Sequence, residues 1–157
     1  MIELNKIFNA THSEWEEFIN AAQNNILSLT IPIDINPSTA KSFVSKLDEQ
    51  YGKLKIVHGH LSKKLNQLEK MIYVIEHKNR EGKNDTDRKI NGIFAVENYE
   101  TTQLDAEGKK ININLYNEQI FYYNRFKDIE SLIEIINRKM NNIITLNGLM
   151  KIEASFA

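Results

Sequence analysis

Residues 40–75 read AKSFVSKLDEQYGKLKIVHGHLSKKLNQLEKMIYVI, and within them Ala40, Val44, Leu47, Tyr51, Leu54, His58, Leu61, Leu65, Leu68, Ile72 and Ile75 recur at alternating spacings of four and three. Such spacing lays one stripe along an α-helix, so the stretch predicts a helix about five heptads long with leucine at the d positions Leu47, Leu54, Leu61 and Leu68. The g positions Phe43, Val57 and Met71 are apolar as well. The stripe is therefore wider than a two-stranded seam needs, and a multi-helix bundle or a higher oligomer is expected. A basic-zipper reading fails, because residues 20–46 contain no basic residues except Lys41 and Lys46.

Working outward, Asn36-Pro37 supplies an N-cap with proline at the first helical position, and Glu81-Gly82-Lys83-Asn84-Asp85 opens a polar loop, which bounds the long helix at 37–81. Upstream, Thr11-His12-Ser13-Glu14 reads as a capping box ahead of Trp15, Phe18, Ile19, Ala22 and Ile26 at helical spacing. Residues 1–35 are thus an N-terminal helix followed by an extended segment around Ile31-Pro32-Ile33-Asp34-Ile35. Downstream, a shorter helix is expected over 85–103, although Gly92 in its interior weakens the pattern. After a break at 105–110, a second heptad train runs through Leu115, Gln119, Tyr122, Phe126, Ile129, Ile133, Ile136, Met140, Ile143, Asn147 and Met150, predicting a long helix over 111–153. Each train would make a rod of roughly 50 to 55 Å. The expected fold is a single all-α domain over 1–157, an elongated helical hairpin or bundle with two long heptad-bearing helices. It would self-associate through Leu47, Leu54, Leu61, Leu68, Ile129, Ile136 and Ile143.

Composition narrows the function classes. The 157 residues carry 20 Lys+Arg against 21 Asp+Glu, a formal net charge of −1, with no cysteine. A disulfide scaffold, a thiolate metal site and a cysteine nucleophile are all excluded. No window approaches the run of about 18 apolar residues that a membrane span needs, and Met1 to Lys6 offers no basic or apolar leader, so a cytoplasmic protein is expected. His58-Gly59-His60 places two imidazoles 200° apart on a helix, which cannot ligate one ion from the same face; His58, at an a position, reads as a polar core residue. Asn84-Asp85-Thr86-Asp87 lacks the glycine and distal glutamate of a calcium loop and reads as a helix cap. With no phosphate loop, nucleophile elbow or paired-carboxylate motif, neither enzymatic activity nor a metal or cofactor is expected.

The near-zero total conceals a strong segregation: residues 1–50 carry −4, residues 53–89 carry +5 and residues 90–157 carry −2. Within the basic segment Lys63, Lys70 and His77 occupy successive f positions opposite the seam, about 10 Å apart. Lys64 and Lys78 flank them at g, Arg80 follows, and Tyr73 neighbours Lys70. Lysines in a column with an interleaved aromatic form a phosphate-tracking, base-stacking surface suited to single-stranded nucleic acid, with Lys63, Lys64, Lys70, Tyr73, Lys78 and Arg80 as its contacts. A solvated coiled-coil back face, with Lys64 and Glu69 as a g to e′ pair between helices, accounts for the same residues.

The order of features resembles the UvsY family of phage recombination mediators over about residues 33–156. Ser45-Lys46 ahead of the long helix is similar to that family's Ser-Lys start, and Lys70 falls at the lysine of its Lys-x-Arg motif for single-stranded DNA. Lys139, Ile143, Leu149, Lys151 and Ile152 are similar to its C-terminal pattern. Ile72 replaces the motif's arginine, and Leu149 and Ile152 stand where the family has Trp and Phe. The resemblance implies a phage-encoded, ring-forming homo-oligomer that binds single-stranded DNA and helps load a RecA-like recombinase against single-strand-binding protein. The competing expectation is a phage structural or adaptor coiled coil that binds no nucleic acid; a small inhibitor acting on a host protein is a third.

Overall fold

In the computed structural model, residues 4–157 are described, and Met1, Ile2 and Glu3 of the expected N-terminal region lie outside them. The described residues are all-α apart from one small hairpin: α1 Leu4–Ile7, α2 His12–Ser28, α3 Pro37–Lys78, α4 Asp85–Glu97, β1 Tyr99–Leu104, β2 Lys110–Ile113 and α5 Leu115–Phe156. No helix among the described residues is long and apolar enough to cross a membrane.

Helix starts follow local hydrogen bonding. Thr11 Oγ1 accepts from the Glu14 amide at 3.3 Å while the Glu14 carboxylate accepts from the Thr11 amide at 2.7 Å, completing the capping box of α2. Asn36 Oδ1 accepts from the amides of Ser38 and Thr39, both at 3.0 Å, and α3 starts at Pro37. Asn84 caps α4 through the Asp87 amide at 2.9 Å, and Asn114 caps α5 through the Tyr116 amide at 3.0 Å.

Two compact units share the long helices: Met1–His60 with Arg125–Ala157, and Leu61–Asn124. In the first, α3 and α5 run antiparallel, since His58 stacks on Phe126 with ring centroids 4.3 Å apart and Ala40 and Val44 line a cavity with Ile143 and Asn147. α2 is the third helix. Its Phe18 and Ala22 share a cavity with Gln50 and Leu54, and its C-terminal carbonyls at Ile26 and Leu29 both accept from the Lys139 ammonium on α5. Because α2 lies on the g side of α3, Phe43 and Val57 are buried, while the a residues Val44, Tyr51 and His58 are half-buried. The wide stripe therefore finds its third partner within the chain.

The seam residues assigned from sequence to an oligomer interface lie in the interior of the single chain. Leu47, Leu61, Ile129 and Ile136 are completely buried, and Leu54, Leu68 and Ile143 nearly so, within one chain's own core. Their side chains supply intrachain packing. From Gly148 onward every residue of α5 is exposed, including Leu149, Ile152 and Phe156.

In the second unit, residues 61–78 of α3 pack with α4 and the first turns of α5. The helix expected over 85–103 stops at Glu97, where the Asn98 amide closes on the Phe94 carbonyl at 3.0 Å, and Tyr99–Leu104 becomes a strand. β1 pairs antiparallel with β2, Tyr99 opposite Ile113 and Leu104 opposite Lys110, with a bulge between. Consequently α5 starts at Leu115 rather than at 111. The β-branched pair Thr101-Thr102 favours the strand, and Asp105 ties the turn by accepting from the Glu107 and Lys109 amides at 3.0 and 2.8 Å. Gly108 completes it at φ +77°, a conformation that costs glycine little.

Candidate nucleic-acid interface

The site is built on the last five turns of α3. Leu61, Leu68 and Ile72 point into the second unit's core, which fixes the helix's rotation and turns the opposite side to solvent. Lys63 and Lys70 are both exposed there, seven residues and so about 10 Å apart. Among the described residues neither ammonium has a hydrogen-bond or ion-pair partner. Two unneutralised cations at this spacing can each meet a phosphate of one strand.

Tyr73 is 62% exposed, and its ring lies 3.9 Å, centroid to centroid, from that of His77. His77 Nδ1 sits 2.8 Å from the Tyr73 carbonyl oxygen. A carbonyl can only accept, so Nδ1 carries the proton and Nε2 is left outward. The two rings lie one against the other, tilted by 32°, one turn beyond Lys70. Lys78, in the last turn of α3, is also exposed, next to the helix's negative end.

Two other predicted contacts are placed differently. Lys64 is half-buried, with Nζ 5.1 Å from the centre of the buried Tyr122 ring, where it makes a cation–π contact. Arg80 bonds Glu76 Oε1 at 2.8 Å, and the second oxygen of that carboxylate accepts from the Tyr116 hydroxyl at 3.3 Å. The Arg80 hydrogen bond holds the Glu76 carboxyl below its ordinary range against the opposing effect of burial, and the Tyr116 bond adds to it. Burial, then the Glu76 charge, pushes the Tyr116 phenol up. Glu76 therefore links α3 to Tyr116 of α5, and Arg80 shares its charge with that carboxylate.

Sequence reading missed the groove beside this surface, where Asn66 and Glu69 of α3 face Gln119, Ile120 and Tyr123 of α5. The only sequence signal was the placement of Asn66 and Glu69 two turns and one turn before Tyr73. Elsewhere, the two histidines of the 58–60 run part company as their 200° separation requires. His58 Nε2 approaches Glu130 Oε1 at 3.5 Å, whereas His60 lies 4.3 Å from the Phe8 ring and 6.5 Å from that of Trp15. Among the described residues no three His, Asp or Glu side chains are grouped to hold a metal ion.

Set against protein-family models, curated proteins and solved structures, the chain matches none.

Proposed function

We propose that this chain is a non-enzymatic protein that binds single-stranded DNA along α3, holding phosphates on Lys63 and Lys70, stacking bases on Tyr73 and receiving a further phosphate at Lys78. The observation that carries the reading is the pair of exposed, unneutralised ammonium groups on one helix face beside an exposed aromatic ring. One copy offers few charges and binds weakly, so a homo-oligomer would supply the avidity. On the resemblance to the UvsY family, the bound strand is presented to a RecA-like recombinase in competition with single-strand-binding protein. A titration of labelled single-stranded oligonucleotide at about 50 mM salt tests the reading. Saturable binding that weakens in Lys63→Ala and Lys70→Ala is expected; no binding under those conditions contradicts it.

A second reading, an assembly or adaptor component, draws on the far end of α5, where Leu149 and Ile152 are about half-exposed and Phe156 is 86% exposed. Apolar residues on a helix end with no covering element suit a protein contact. This reading expects self-association or partner capture that is indifferent to oligonucleotide and to Lys63.

A further inference from the structure

The groove beside the lysine column has a composition that selects its occupant. Leu65, Asn66, Glu69, Gln119, Ile120 and Tyr123 enclose about 360 Å³. Ile120 is 58% and Tyr123 49% exposed, which leaves an aromatic face and an aliphatic patch in contact with solvent. Around them stand two side-chain amides and a carboxylate. Among the described residues Glu69 has no hydrogen-bond or ion-pair partner. A phosphate is repelled by that carboxylate, and an aliphatic chain makes no use of the amides. A nucleobase uses both, with its flat faces against Tyr123 and Ile120 and its polar edge toward Asn66, Gln119 and Glu69.

Position strengthens the match. Asn66 follows Lys63 by three residues and precedes Lys70 by four, and Glu69 precedes Tyr73 by four, so each is a surface neighbour of the column on the same helix. A strand whose phosphates follow Lys63 and Lys70 thus brings a base to the mouth of the groove.

We infer that this groove is a base pocket that discriminates by the exocyclic group, taking cytosine in preference to thymine. Glu69 accepts from the cytosine N4 amine, whereas thymine presents its O4 carbonyl at the same place and sets acceptor against acceptor. The inference rests on the proposed strand binding and adds to it a base preference with its own residue.

Titrating labelled oligo-dC and oligo-dT of equal length at about pH 7.5 and matched salt tests both layers. The wild-type protein favours oligo-dC by about tenfold. Glu69→Gln, whose amide can donate as well as accept, brings the two affinities within about twofold while leaving the salt dependence unchanged. Tyr123→Ala weakens both oligomers by about fivefold or more. Circular dichroism of each variant checks that the helices are retained. Equal wild-type affinity for the two oligomers, or a preference that survives Glu69→Gln, overturns the pocket while salt-dependent binding still supports the column. Absence of binding by either oligomer removes both.

Discussion

Gly92 of α4 lies directly against Glu76 of α3: a Cβ added at Gly92 would stand 2.7 Å from the Glu76 carbonyl oxygen and 3.0 Å from its Cγ. The glycine that weakens the sequence pattern of α4 is what lets that helix approach the one carrying the lysines. Glu76 is also the carboxylate held by Arg80 and Tyr116, so this contact and those bonds fix the same turn of α3. Gly92→Ala should destabilise the protein by about 1 to 3 kcal/mol through overpacking, despite alanine's higher helix propensity. Urea unfolding measures it; a variant as stable as wild type would show that α4 can retreat at no cost.

Lys63 and Lys64 are adjacent in sequence and should separate cleanly in experiment. Lys64→Ala removes a cation from the Tyr122 ring and is expected to lower stability by about 0.5 to 2 kcal/mol with a small effect on oligonucleotide affinity. Lys63→Ala, at an exposed position with no partner, should leave thermal stability unchanged and weaken binding. The reverse pattern would mean that the helix is rotated relative to the placement described above.

Glu76 should contribute acid sensitivity. Its folded-state pKa lies below the unfolded value, chiefly through the Arg80 hydrogen bond, so its stabilisation is present above the unfolded carboxylate range and is lost as pH falls through the folded one. Between about pH 6 and pH 3 the wild type should lose more stability than Glu76→Gln does. Parallel losses in chemical denaturation at the two pH values would remove Glu76 from the account.

In the first unit, the Lys139 ammonium accounts for two C-terminal carbonyls of α2, those of Ile26 and Leu29. Lys139→Met preserves the aliphatic stem but removes the ammonium from the Leu29 carbonyl, while the Ile26 carbonyl keeps the Leu29 amide at 3.2 Å, at an expected cost of about 1 to 2 kcal/mol. Hydrogen exchange at the last turn of α2 should rise together with that loss.

Most of the helical architecture is legible from local chemistry. The caps at Thr11, Asn36 and Asn84 are bonds spanning three residues or fewer, so the sequence alone contains all of their partners. Pairing across longer separations is not legible in this way. Thr101 and Thr102 read as the tail of a helix until Lys110–Ile113 is known to lie beside them. Leu47 and Ile136 announce that they will be buried but not against which chain, since the decision depends on α2 covering the g side of α3. The same division runs through the candidate site. Exposure of Lys63 and Lys70 follows from their f positions, a property of one helix. The diversion of Lys64 to Tyr122 depends on where α5 places a ring, whereas Arg80 and Glu76, four residues apart, pair locally.

The central claim is that Lys63 and Lys70 take the phosphates of a single strand, and the salt dependence of oligonucleotide affinity tests it most directly. Each neutralised phosphate of a single strand contributes about 0.7 to the negative slope of log affinity against log salt. The Lys63→Ala, Lys70→Ala double variant should therefore show a slope shallower than wild type by about 1.4. An unchanged slope in the double variant would contradict the account.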